Sequence, residues 1–280
     1  MRPDLADEAL RGRVEALRYV SPSLVQVIEP AAPLRSRPDA AASWTTEALF
    51  GETAHLFEVK GNWAWVQLLS DGYVGYVHAS AVSAQVEQAT HCVQSLGTFL
   101  YPAADMKTPP SVALSMTAQL AVREAGASFA RLADGRYVPM QHITPRDALP
   151  SDYVAIARQF RGAPYQWGGK TRAGLDCSGL VQVALSACGI AAPRDSDMQA
   201  AELGHVVDAG EDLRGLLRGD FLFWKGHVGI VAGPDALLHA NAFHMAVVEE
   251  PLAAAVTRIA AAGSPLTAVR RLSPHPKGAT

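Results

Sequence analysis

Residues 165–182, YQWGGKTRAGLDCSGLVQ, limit the fold more than any other part of the chain. A glycine-rich stretch (Gly168, Gly169, Gly174) runs into Asp176-Cys177-Ser178-Gly179, and the apolar run Leu180-Val181-Gln182-Val183-Ala184-Leu185 follows. The apolar positions fall at helical spacing, which predicts Cys177 at the start of a buried helix. The first N–H groups of a helix lack partners and carry the positive end of its dipole. A thiolate is stabilised there, so the expectation is a lowered thiol pKa and a good nucleophile. The same N–H groups can hold a developing oxyanion. The alternative is a buried structural cysteine. Asp176, Ser178 and Gly179 pack poorly in a core and favour the reactive reading.

The chain has three cysteines among 280 residues, Cys92, Cys177 and Cys188. The odd count and the spacing give neither a disulfide framework nor a zinc site, which agrees with a reducing compartment. No metal and no cofactor is expected. The segment MRPDLADEALRGRVEALRYV carries early acids and lacks the apolar core of a secretory signal. Read from Met1, it makes the cytoplasm the expected location. Apolar residues are 49%, charged residues 18% and the net charge −3. That balance points to an ordinary globular chain with no nucleic-acid or anionic-membrane partner. There is no apolar run of about eighteen residues, so no membrane-spanning helix is expected.

Four regions follow from the changes in texture. Residues 1–30 read as an N-terminal arm, with a short amphipathic helix carrying Leu10, Val14 and Leu17, then an extended segment ending at Pro30. Residues 31–86 read as all-β. Short apolar runs alternate with turns at Gly51, Lys60-Gly61-Asn62 and Asp71-Gly72, the last a hairpin signal. The sequence of LRSRP, TEALFGE, WAWVQL and DGYVGYV resembles a bacterial SH3-like domain. Residues 87–145 repeat the theme more faintly. Candidate strands there are Thr98–Tyr101, Leu114–Val122, Ser128–Leu132 and Arg136–Met140, with a second Asp-Gly turn at Asp134-Gly135. This is read as a second, diverged SH3-like barrel. TPRDALPSD at 144–152 marks the boundary, and residues 146–280 form the last domain. There a helical segment, Tyr153–Phe160, and the Cys177 helix precede five candidate strands between Phe221 and Leu272. A helix bearing a nucleophile ahead of an antiparallel sheet is an α+β arrangement.

A cysteine nucleophile needs a base, and the base needs an orienting group. Nine histidines are available. His227, in Gly226-His227-Val228-Gly229-Ile230, opens one β-run, and His239, in Leu238-His239-Ala240-Asn241, ends the next. A turn at Gly233-Pro234-Asp235 joins the runs, so antiparallel pairing can set the two rings side by side. Each could instead be a half-buried strand residue. Asn241 is a second candidate for the orienting role, and His205, His244 and His275 read as loop or solvent residues.

Tyr165-Gln166-Trp167-Gly168-Gly169, Asp176-Cys177-Ser178-Gly179, Gly226-His227-Val228-Gly229-Ile230 and His239-Ala240 together resemble the NlpC-type family of papain-like cell-wall peptidases. The resemblance implies a papain-like domain with Cys177 as nucleophile, His227 as general base and His239 as its orienter. It implies Tyr165 at the oxyanion site, with Asp176 and Ser178 close to the reacting groups and Trp167 toward the substrate. Two SH3-like domains ahead of such a peptidase resemble the γ-D-glutamyl-L-diamino acid endopeptidases of the dipeptidyl-peptidase VI type. That subgroup implies a free murein stem peptide as substrate, L-Ala-γ-D-Glu-diamino acid with an unblocked amine, and a role in peptide recycling. By the same resemblance Asp195 binds the amine and Ser196 supports it, while Glu47 or Glu52 and Tyr73 or Tyr76 are candidates to close the amine cage. Each of those four could equally be barrel surface. Two other functions compete. A related Cys–His amidase or acyltransferase would need no amine cage. A catalytically silent wall-binding module would not need Cys177, His227 and His239, all of which are present.

Overall fold

The computed structural model describes residues 2–210 and 212–273, in two compact units, Met1–Pro145 and Arg146–Thr280. His275 lies outside the described residues.

The first unit holds two all-β bodies. In the first, seven antiparallel strands run in the order Trp44–Leu49, Ala31–Arg35, Val74–His78, Trp63–Leu68, Thr53–Lys60, Ser23–Val27, Val82–Ser83. Alternation puts Ala64, Val66 and Leu68 inside and Trp63, Trp65 and Gln67 outside. The interior collects Val25, Val27, Leu34, Ala48, Val66, Leu68 and Val77, and each large aliphatic buried there contributes about 1.5–3 kcal/mol. Gly72 turns the hairpin at φ +72°, as the Asp-Gly signal requires.

The second body is built from three short sheets around Val93, Leu100, Leu114, Leu120, Leu132 and Val138. The strand expected over Leu114–Val122 is broken into Val112–Ser115, Gln119–Leu120 and Val122–Ala125. Thr117 at φ +68° breaks it, because that conformation turns the chain and ends pairing.

The arm differs from expectation in two ways. There is no α-helix in residues 2–20. Leu5–Asp7 pairs in parallel with Arg18–Val20, with a single 3₁₀ turn at Glu8–Leu10 and Gly12 at φ +81°. Leu10 and Leu17 are 39% and 85% exposed. Helical spacing that buries no face gives the helix no packing energy, and a short helix does not hold on propensity alone. The end of the arm is not separate either, since Ser23–Val27 is a strand of the first sheet.

The second unit is α+β. Among its described residues, four helices, α1 (Tyr153–Gln159), α2 (Cys177–Ser186), α3 (Ser196–Glu202) and α4 (Leu252–Ala261), accompany a six-stranded antiparallel sheet. Its order is His205–Val206, Ala268–Arg271, Phe221–Trp224, His227–Gly233, Ala236–Asn241, Ala246–Pro251. The apolar run after Cys177 buries Leu180, Val181, Val183, Ala184 and Leu185 as α2 packs on the His227 and His239 strands. Helix α4 follows the last hairpin strand and buries Leu252 and Ala255 with Leu222, Val231 and Leu237. No described helix is long and apolar enough to cross a membrane.

Candidate active site

Three features fix Cys177 in place. Asp176 caps α2 by accepting from the Gly179 N–H at 2.7 Å, which satisfies one of the helix's unpaired donors. Gly179 must lack a side chain, because a Cβ there would sit 2.3 Å from the Gly169 carbonyl oxygen. The glycine loop is thereby seated against the first turn of α2. Gly168, at φ +78°, donates its N–H to the other Asp176 oxygen at 2.8 Å.

The Asp176 carboxylate also receives Arg194 in a bidentate pair, at 2.9 and 2.7 Å. Arg194 is only 1% exposed, and its Nη1 also donates to Ser178 Oγ at 2.9 Å. The side chains of Asp176 and Ser178, expected beside the reacting groups, are therefore committed to Arg194. Two parallel charge-assisted bonds are the strong form of such a pair. Ser178 acts on the thiol through its backbone instead: its N–H and that of Val228 favour the Cys177 thiolate.

Burial pushes the Cys177 thiol up to about 11, and the adjacent Asp176 charge adds to the rise. The lowered pKa expected from the helix dipole is overturned, because desolvation of the anion outweighs the backbone N–H groups and Arg194. Burial likewise lowers His227 to about 3, with a contribution from His239. The resting pair is a neutral thiol and a neutral imidazole. Tyr165 is half-buried, and its phenol is pushed up to about 12 by burial, then by the Cys177 and Asp176 charges. It remains a neutral O–H donor.

Strand pairing brings the histidines together. With Ile230 opposite Leu238 and Val231 opposite Leu237, His227 and His239 point to one face, diagonally across the hairpin. His227 Nε2 lies 2.8 Å from His239 Nδ1. His239 is 1% exposed. Its Nε2 lies 2.7 Å from Glu250 Oε1 and 2.9 Å from Asn241 Nδ2. Asn241, the second candidate as orienter, thus lies against His239. Arg258 of α4 grips Glu250 with two bonds of 2.7 Å and lowers its pKa to about 2. Sequence reasoning missed Glu250 and Arg258. The available signal was the hairpin register: Val248 lies opposite His239, so Glu250 shares its face.

The remaining candidates divide between the two units. Trp167 is 66% exposed. Asp195 is the residue before α3 and Ser196 its first residue, both half-buried. Glu47, Glu52, Tyr73 and Tyr76 belong to the first unit. Both glutamates are buried. Tyr76 packs against Trp65 at 4.7 Å, with the Arg2 guanidinium 5.8 Å from its ring.

A stability consequence follows from His227. Its folded pKa lies below the ordinary 6.5, so the unfolded chain binds more protons between the two values, and stability falls as pH drops from about 6.5 to about 3. Burial lowers His239 as well, with the same sign. Thermal unfolding followed by circular dichroism should show this acid slope, and His227→Gln should flatten it.

The arrangement suits acyl transfer: a sulfur nucleophile under backbone N–H groups, a neutral imidazole, and a second imidazole behind it. Comparison with known proteins points the same way. Residues 34–82 match the family described as bacterial dipeptidyl-peptidase Sh3 domain, and residues 162–258 match the NlpC/P60 family. The chain is 26% identical over 216 residues to the gamma-D-glutamyl-L-lysine dipeptidyl-peptidase of Bacillus subtilis (strain 168), covering 70% of this chain and 71% of that protein. It is 36% identical over 112 residues to the probable endopeptidase NlpC of Escherichia coli (strain K12), covering 35% of this chain and 70% of that protein. Among solved structures, an NlpC/P60 family protein from Bacillus cereus ATCC 10987 shares the fold. It has a TM-score of 0.76 at 20% identity, over 90% of this chain and 100% of that one.

Proposed function

The chain belongs to the NlpC/P60 family of cysteine peptidases, and from that premise we propose that it hydrolyses the γ-D-glutamyl–diamino acid bond of free peptidoglycan stem peptides, releasing L-Ala-D-Glu. The observation that carries the chemistry is Cys177 at the first position of α2, a helix packed on the two strands that hold the paired His227 and His239. The substrate class is supported by the dipeptidyl-peptidase type of SH3 domain in residues 34–82 and by the name of the Bacillus subtilis relative.

Because the resting pair is neutral, the thiolate forms only as the proton leaves. Cys177 Sγ passes its proton to His227 and bonds to the γ-carbonyl carbon of D-glutamate. The oxyanion is held by N–H groups at the start of α2 and by the Tyr165 hydroxyl. His227 returns the proton to the leaving amine as the C–N bond breaks, giving a thioester and the free diamino acid. Water, deprotonated by His227, then attacks the thioester, and L-Ala-D-Glu leaves as the thiol is restored. His239 holds the His227 ring. Asp195, with Ser196 beside it, binds the terminal ammonium, and Trp167 borders the substrate. A reducing, cytoplasmic setting suits this reading, with no disulfide among the described cysteines Cys92, Cys177 and Cys188.

The test is incubation with L-Ala-γ-D-Glu-L-Lys and its diaminopimelate counterpart, free and N-acetylated, read by mass spectrometry. L-Ala-D-Glu is expected from the free peptides. Acetylation removes a charge-assisted bond worth about 1.5–3 kcal/mol, so kcat/KM should fall between about 10- and 150-fold. Equal cleavage of blocked and free peptides would reject amine recognition. No cleavage of either free peptide would reject the proposed substrate.

A further inference from the structure

We infer that Glu250, held by Arg258, is a positioning residue that selects the reactive tautomer of His227 through His239. The inference rests on the peptidase reading above and extends it to residues two steps behind the nucleophile.

His239 Nε2 has two neighbours with opposite demands. Glu250 Oε1, at 2.7 Å, can only accept while ionised, so it requires a proton on Nε2. Asn241 Nδ2, at 2.9 Å, can only donate, so it requires a lone pair there. The Asn241 amide cannot resolve the conflict by flipping, because its Oδ1 accepts the His244 backbone N–H at 2.8 Å. Glu250 prevails. Both of its oxygens are bound by Arg258 at 2.7 Å, which keeps it charged, and a bond to a charged acceptor is stronger than one between neutral groups.

The consequence passes along the chain of rings. Burial holds His239 below its ordinary pKa, so the ring is neutral and carries one proton. With that proton on Nε2, Nδ1 is a lone pair and can only accept. His227 Nε2, 2.8 Å away, must then be the donor. His227 is also neutral, so its Nδ1 is left as a lone pair, free to take the thiol proton. Without the carboxylate the Asn241 donor decides instead. It places the His239 proton on Nδ1, the His227 proton on Nδ1, and leaves His227 without a base on that nitrogen. The charged or titratable groups facing Glu250 are Arg258 from α4, His239 from the adjacent strand, and His244 at 3.9 Å from the turn.

Glu250→Gln is the decisive variant. Arg258 donates, so it claims the glutamine Oε1 and turns the amide NH₂ toward His239, imposing the wrong tautomer. The loss in kcat should lie between about 10²- and 10⁴-fold with KM nearly unchanged, and Glu250→Asp should recover part of it. The separating readout is ¹⁵N NMR of the histidine ring nitrogens in substrate-free protein. Wild type should show both His227 and His239 as Nε2–H tautomers, and Glu250→Gln should convert both to Nδ1–H. A wild-type His239 carrying its proton on Nδ1 overturns the inference even if the variant fails to fold. So does a Glu250→Gln protein that keeps full kcat, or one that loses activity while both rings stay Nε2–H, the result of a purely structural role. The tautomers are read without substrate. Wild-type protein with the stated tautomers and no peptide cleavage would therefore reject the peptidase substrate and leave the relay standing.

Discussion

Cys177→Ala should leave L-Ala-γ-D-Glu-L-Lys intact, with kcat/KM down at least about 10⁴-fold. Among the described residues of the site, the sulfur is the nucleophile that can form the covalent intermediate. His227 is a neutral imidazole whose Nε2 is committed to His239, and Tyr165 is a phenol kept protonated by burial. Neither replaces a thiolate. The side chain is 6% exposed, yet the substitution removes one atom, so the fold should survive with a stability change of about 1 kcal/mol. The assay pairs product detection by mass spectrometry with intact-mass analysis of wild type. Wild type mixed rapidly with excess peptide should carry a thioester-linked L-Ala-D-Glu adduct that the variant lacks. A variant retaining a tenth of wild-type activity would mean that water, not sulfur, attacks the carbonyl, and the covalent mechanism would fall.

Arg194→Met should be the most destabilising single change in the second unit. It strands the Asp176 carboxylate, which is 6% exposed, without its counter-ion. Breaking a buried pair from one side costs about 3–5 kcal/mol, enough to lower Tm by on the order of 10 °C. The double variant Asp176→Asn/Arg194→Met should be more stable than Arg194→Met alone, because no buried charge is then left unpaired. Urea unfolding of the single and double variants measures both quantities. An Arg194→Met protein within about 1 kcal/mol of wild type would show that Asp176 finds compensation in its remaining donors.

The α+β order of the second unit was legible because it rests on local signals. Apolar spacing after Cys177 gave α2, and short apolar runs joined at Gly233-Pro234-Asp235 gave the histidine hairpin. What failed did so for physical reasons. Leu10, Val14 and Leu17 have the period of a helix, but period has meaning only where a face is buried, and Leu17 is in solvent. Helices α3 and α4 were overlooked: α3 is short and polar, and α4 follows directly on its strand without a turn signal. The thiol pKa went the other way because a sequence shows the helix start but not the depth of burial. The Arg194–Asp176 pair spans eighteen positions with no periodicity to reveal it, and Glu250 emerges only once the register of its hairpin is known.

The Asp176 carboxylate has a consequence for anyone wishing to retarget such an enzyme. The residues proposed to hold the substrate's ammonium, Asp195 and Ser196, follow directly on Arg194, whose guanidinium ends on the carboxylate that caps the nucleophile's helix. A chimera that exchanges residues 193–199 to alter selectivity also exchanges the anchor of the reactive centre. Loop libraries in this region should keep Arg194 invariant and vary from 195 onward. Donor segments should be screened first for an arginine at that position and only then for new specificity.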